Sequence, residues 1–175
     1  MAVKDYSVPA SAVHAALRGQ GVDAVTTVPD FVQFALHDLM QNDPAVMYLQ
    51  CSAENQAVTT AMGMYVGGRT PIIMVQNQGL LNCINTLRSV GVDARIPLVF
   101  TVGGFGREFE NLGSPLSQSR RVCVNRTQPV TEALGLPFFN IETPADVGLI
   151  DAAFDAARSR ECAAVIHFGH YVAWT

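Results

Sequence analysis

The chain is poor in charge: Asp, Glu, Lys and Arg make up 15% of its 175 residues, against about 25% in ordinary soluble domains. Its net charge is −4 with no basic block, so the electrostatic footprint of a nucleic-acid binder is missing. Long apolar runs are lacking as well. None approaches the roughly 20 residues needed to span a bilayer, and the apolar stretches end at Gly or Pro. The opening residues Met1-Ala2-Val3-Lys4-Asp5-Tyr6 carry no apolar signal core, which predicts a cytoplasmic protein. Cys51, Cys83, Cys123 and Cys162 show no C-x-x-C spacing, and His167 and His170 stand apart from other ligand types, so no metal site is expected. Neither a phosphate-loop pattern nor G-x-G-x-x-G after the first strand occurs, and Gly103-Gly104-x-Gly106 lacks the following helix and distal acid of a nucleotide fold. Ser52 and Ser114 have no His and acid in the roles a hydrolase triad requires.

What the chain has in excess is apolar residues, 49% of the total, with a mean hydropathy of +0.23. Permanent subunit interfaces resemble a core cut in half, so this excess predicts an oligomer. Apolar runs and helical patterns alternate along nearly the whole length. The spacing predicts helices over residues 7–20 or 9–20, 31–42, 53–66, 80–90 and 145–160, the last capped by Thr143 or Asp146. Residues 114–134 read as a helix in two pieces broken by Pro129. Strands are predicted at 23–28, 46–50, 71–76, 96–102, 138–142 and 163–168, with a glycine-rich loop at 103–113. Six apolar strands separated by helices describe a three-layer α/β fold, a six-stranded parallel sheet with helices on both faces. No repeat or linker interrupts residues 1–175, which predicts one domain.

Ligands in such folds sit beyond the carboxyl ends of the strands. The segments to inspect are therefore Val28-Pro29-Asp30, 51–54, 76–82, 103–110 and Gly169-His170. Asp30 is expected as the N-cap of the helix that follows, either as a cap alone or as a cap at the ligand edge that also faces a site. Glu54 lies in the first turn of a helix, where the dipole favours a carboxylate. Its small and apolar neighbours would also leave it partly desolvated and suited to proton transfer. Gln76-Asn77-Gln78 places three carboxamides at a strand end, as an ordinary turn or as polar groups awaiting a ligand. Arg107, Glu108, Arg120 and Arg121 form either a solvated face or a guanidinium site for an anion.

The sequence resembles a known family at Val28-Pro29-Asp30, at Ser52-Ala53-Glu54-Asn55-Gln56-Ala57, and at Gln76-Asn77-Gln78-Gly79-Leu80-x-Asn82-x-x-Asn85-x-Leu87-x-Ser89. It is similar to the pyrimidine-binding domain of thiamine-diphosphate-dependent 2-oxo acid decarboxylases, most of all the sulfopyruvate and phosphonopyruvate branch. The likeness runs over nearly the whole chain in the same motif order. The E-N-x-A helix is weakly specific; the segment beginning Q-N-x-G-L is much more so.

The resemblance implies thiamine diphosphate and Mg²⁺ as cofactors and a 2-oxo acid as substrate, for which an anionic 3-substituted pyruvate is expected. It implies that Glu54 hydrogen-bonds N1′ of the aminopyrimidine and so promotes loss of the C2 proton. Asp30 would lie near the reacting carbon, and Gln76, Asn77 and Asn82 would line the pocket. One of Arg107, Arg120 and Arg121 would grip the substrate anion; failing that, Phe105 and Phe109 would shape the pocket. Gln78 stands where the nearest relatives often have serine, and the loop from Gly103 keeps only Gly103, Gly106 and Glu108 of the family pattern. The family's G-D-G with a distal Asn, which holds the diphosphate and Mg²⁺, is absent from the sequence. That half of the site is expected on a separate beta subunit, making a hetero-oligomer. A thiamine-dependent carboligase of acetolactate type and a non-catalytic regulatory domain are the alternatives.

Overall fold

Alternation of short apolar strands with amphipathic helices governs the architecture. The structure is a computed structural model that describes residues 3–174. Met1 and Ala2 of the N-terminal stretch read above, and Thr175, lie outside the described residues. In chain order the first half forms β1 (Val8–Pro9), α1 (Ala10–Gly19), β2 (Ala24–Thr27), α2 (Phe34–Asn42), β3 (Met47–Gln50), α3 (Glu54–Val66) and β4 (Pro71–Gln76). There follow α4 (Asn77–Asn82), α5 (Ile84–Arg88), β5 (Val99–Gly103), α6 (Val122–Asn125), α7 (Thr127–Ala133), β6 (Phe138–Ile141), α8 (Leu149–Arg160), β7 (Ala164–Phe168) and β8 (Val172–Ala173).

The main sheet has the order β3-β2-β4-β5-β7-β6 and is parallel throughout. This is the predicted six-stranded fold. Strands β2, β5 and β7 are buried at every residue and β4 at all but its last, as strands covered on both faces must be. Side chains alternate between two cores. Ile72 and Met74 pack with Val13, Leu17, Leu36 and Phe154 of α1, α2 and α8. Ile73 and Val75 pack with Ala57, Ala61, Leu80 and Leu87 of α3, α4 and α5.

Several boundaries differ from the sequence expectation, each for a local reason. The helix expected from Phe31 begins at Phe34, because Asp30 Oδ1 accepts the backbone N–H groups of Val32 and Gln33 and holds residues 31–33 in a turn. The helix expected over 80–90 starts at Asn77, breaks at Cys83 and ends in a wide turn at Ser89–Asp93. β5 starts at Val99 rather than at residue 96, since the Ile96 N–H turns back to the Val90 carbonyl beside Pro97, which has no N–H to give a ladder. Pro129 does not break the helix expected there. It sits in the first turn of α7, where its missing N–H is not needed, and the break falls at Arg126. Thr143 and Asp146 together form the capping box ahead of α8. The small parallel pair of β1 and β8 was not foreseen; two-residue strands carry no readable period.

A buried polar chain ties the far side of the sheet together. His167 of β7 is fully enclosed, its Nδ1 2.8 Å from Asn140 Oδ1, and Asn140 Nδ2 donates to Glu142 Oε1 at 2.7 Å. Burial, and then the charge of Arg107, push the imidazole from 6.5 down to about 3. Between those values the unfolded chain binds a proton that the native one refuses, so stability falls as pH drops below 6.5. Unfolding by urea at pH 7 and pH 5 should show a loss of about 2 kcal/mol from this group. His167→Gln should remove that part of the slope; an unchanged slope assigns it elsewhere.

Candidate active site

Glu54 opens α3 beyond the end of β3, and its carboxylate leans across the backbone of α4. Asn82 Nδ2 donates to Glu54 Oε2 at 2.8 Å. A Cβ on Gly79 would lie 2.6 Å from both Cγ and Oε1 of Glu54, so a side chain there would push the carboxylate aside. Glu54 Oε1 accepts no hydrogen bond among the described residues, and the side chain is half-buried. The result is an oriented carboxylate with one oxygen held and the other free. Beneath it the Cys83 thiol is pushed up to about 12, by burial first and then by the Glu54 charge, so it stays protonated.

Asp30 is placed quite differently. Its carboxylate is wholly enclosed, Oδ1 taking the Val32 and Gln33 backbone N–H groups at 2.7 and 3.0 Å and Oδ2 taking Gln33 Nε2 at 2.6 Å. A Cβ on Gly103 would overlap Oδ1, so this glycine too is needed for close approach. Gln33 Nε2 also reaches the carbonyls of Val75 and Thr101, at 3.1 and 3.3 Å. His37 Nε2 lies 3.6 Å from Asp30 Oδ2, with Tyr48 Oη 2.8 Å from its other ring nitrogen. These bonds hold a turn ahead of α2, whose N-cap is Gln33, so Asp30 is not the helix N-cap expected from the sequence.

The carboxamides separate by role. Asn77 is fully buried and donates to the carbonyls of Phe105 and Cys123 at 3.0 and 3.4 Å, pinning the loop after β5 to the end of β4. Gln76 is half-buried at the strand end. Asn82 is the one that meets Glu54.

The arginines separate too, and Arg107 corrects the picture of a solvated face. Its side chain is 1% exposed and paired with Glu142. It also donates to Asn111 Oδ1 and to the carbonyls of Asn111 and Ser114 at 2.9, 2.9 and 2.8 Å. Arg120 is on the surface, 80% exposed, with Glu110 at 2.9 Å and Glu108 at 3.7 Å. Arg121 borders a cavity of about 280 Å³ walled by Phe105, Phe109, His170 and Tyr171, and its guanidinium pairs with no described residue. Gly169-His170 is legible in the sequence only as a strand end, because nothing in the spacing marks His170 as a lone buried imidazole.

Removing the Arg107 charge leaves Glu142, 13% exposed, without its counter-charge, and breaking a pair so largely buried typically costs about 3–5 kcal/mol. Arg107→Met should therefore unfold at markedly lower urea, and Arg107→Lys should recover only part, lacking the planar fork. A substitution that altered substrate affinity without loss of stability would return Arg107 to the substrate-binding group.

The thiamine pyrophosphate enzyme N-terminal TPP binding domain family model matches residues 9–122. The subunit alpha of sulfopyruvate decarboxylase from Methanothermobacter thermautotrophicus is 28% identical over 135 residues, covering 77% of this chain and 79% of that protein. Phosphonopyruvate decarboxylase from Streptomyces viridochromogenes is 38% identical over 96 residues, 55% of this chain but only 24% of that one. Benzoylformate decarboxylase from Polynucleobacter necessarius superposes with a TM-score of 0.70 over 92% of this chain and 29% of its own, at 19% identity, a likeness of fold. The Glu54 cluster and the sheet that carries it thus belong to a chain that is a member of the thiamine pyrophosphate enzyme N-terminal, TPP-binding domain family.

Proposed function

We propose that this chain is the aminopyrimidine-binding subunit of a two-component thiamine-diphosphate-dependent decarboxylase whose substrate is an anionic 3-substituted pyruvate of the sulfopyruvate or phosphonopyruvate kind. The observation that carries the reading is the carboxylate of Glu54, oriented by Asn82, cradled on Gly79, and free at Oε1. Such a group fits a ring nitrogen that must share a proton with it. Two relatives from methanogens are named as alpha subunits of sulfopyruvate decarboxylase and are matched over 79% and 77% of their length, which supports the substrate class and a partner.

Bound thiamine diphosphate supplies the electron sink for loss of carbon dioxide. Glu54 holds the proton at Oε1 against N1′ of the aminopyrimidine, and Asn82 keeps the carboxylate from swinging away. Gln76 lines the same strand end, and Asn77 supports it from beneath. Asp30 acts near the reacting carbon by fixing the turn and strand ends that border it. Arg121 is the arginine with an uncommitted guanidinium, and it faces the substrate's distal anion.

No G-D-G occurs in this sequence. The reading therefore puts Mg²⁺ and the diphosphate on a beta subunit with oxygen ligands of that type. Exposed aromatics suit such a partner: Phe31 packs edge-on to Tyr171 and Phe34 to Trp174, at centroid distances of 5.9 and 6.2 Å, and each of these four rings stays open to solvent.

Two measurements test the reading. Calorimetric titration of the chain alone with thiamine diphosphate and Mg²⁺ should show weak binding, restored by the beta subunit; micromolar, Mg²⁺-dependent binding by the chain alone would overturn the split site. In the complex, Glu54→Gln should slow exchange of the cofactor's C2 proton by at least ~100-fold, the scale of one acid–base contribution, with assembly intact. Gly79→Ala should slow it too by displacing the carboxylate. An unchanged exchange rate in Glu54→Gln removes the proposed role.

A further inference from the structure

The cavity bordered by Arg121 shares no lining residue with the Glu54 cluster. It opens between the loop that follows β5 and the residues that follow β7, and Val32 closes it on the side of the α1–α2–α8 core. His170 lines it and is 9% exposed, yet neither of its ring nitrogens has a hydrogen-bond partner among the described residues. Its ring is held by Tyr171 at 4.7 Å and Phe109 at 5.8 Å. An unpaired buried donor or acceptor costs about 1–3 kcal/mol. A ring with both nitrogens in that state, facing a cavity, calls for an occupant.

The charges around the cavity identify the kind of occupant. Arg107 is balanced by Glu142. Glu108 is engaged by Ser119 Oγ at 2.6 Å and by the Arg120 backbone N–H at 2.7 Å, with the Arg120 side chain nearby. Arg120 itself lies nearer to Glu110, at 2.9 Å, than to Glu108, at 3.7 Å. Of the charged lining residues Arg107, Glu108 and Arg121, two are cations against one carboxylate, and the Arg121 guanidinium pairs with no described residue. Burial, and then the Arg107 charge, hold His170 below its ordinary value against the opposing pull of Glu142, so at neutral pH the imidazole offers one N–H donor and one acceptor. Aromatic walls on both sides favour a ligand with a compact carbon body.

We infer that this cavity is a binding site for a small organic oxyanion, a carboxylate, sulfonate or phosphonate, with Arg121 supplying the charge and His170 an N–H donor. Two sources share that chemistry, the distal end of the 2-oxo acid and a separate anionic effector.

The full chain, ¹⁵N-labelled, is titrated with sulfoacetate while its imidazole nitrogens are followed by NMR. A saturable shift at His170, with none at His14, which is paired with Asp43 and does not line the cavity, is expected. Arg121→Met should weaken the affinity at least ~10-fold, the scale of one charge-assisted hydrogen bond, and His170→Phe, which keeps the ring packing, should weaken it as well. The enclosed His167 reports in the same spectra that each variant is folded. No saturable shift up to tens of millimolar, or equal affinity in Arg121→Met, overturns the assignment. In the assembled enzyme, competition of sulfoacetate with substrate identifies the substrate's own end, and a change in turnover without competition identifies an effector. The titration involves neither cofactor nor Glu54, so its failure leaves the reading of Glu54 standing, and failure of that reading leaves the anion site standing.

Discussion

The enclosed carboxylate of Asp30 is the constraint on which the ligand-facing edge of this sheet depends. A buried charge is tolerated only when it is hydrogen-bonded, and Asp30 receives two backbone N–H groups and the Gln33 amide. Gln33 passes the connection on to the carbonyls of Val75 and Thr101, so one side chain ties together the carboxyl ends of β2, β4 and β5. Gly103 is the complement of this arrangement, since any Cβ there would overlap the carboxylate. The loop that leaves β5 is thereby launched from a fixed point, and everything on it inherits that position.

From that point the loop's charges fall into two classes. Arg107 is consumed by structure: its pairing with Glu142 and its bonds to Asn111 and Ser114 close the loop on itself. Through Asn140 the same carboxylate reaches His167 inside β7. Arg121, fourteen positions along, enters no such network. The distinction matters because a guanidinium already saturated by internal acceptors has nothing to offer a ligand, while an unpaired one at a cavity rim does.

Much of this was legible in the residues. The apolar run at 71–76 coincides with β4 residue for residue, and the parallel six-stranded sheet follows from apolar runs too short for helices and too continuous for one-sided strands. Helix starts were harder, because α2 is displaced by an Asx-type turn and α4 begins directly on the last strand residue without a linker; in both cases a side-chain bond, not a propensity, sets the boundary. Glu54 and Asn82 were singled out separately, and their contact depends on Gly79, whose role as a cradle cannot be told from an ordinary bend. Arg107 resembles Arg120 and Arg121 in sequence, yet burial sets it apart, and between the two exposed arginines only Arg120 is paired with carboxylates. His170 was invisible for the converse reason: a lone histidine after an apolar strand is most simply a satisfied core residue, and only its missing partners make it otherwise.

The placement of Glu54 also bears on why its site is open. Proton transfer is favoured where water is excluded and the carboxylate is held still. Asn82 and Gly79 provide the second condition within this chain, but the half-buried side chain does not meet the first. The neighbours that meet the carboxylate, Gly79 and Asn82, both come from α4, and part of the side chain stays open to solvent. Under the two-component reading, the desolvation missing here is supplied when a second surface closes over the strand ends. Orientation is then a property of this fold, and dryness a property of the assembly.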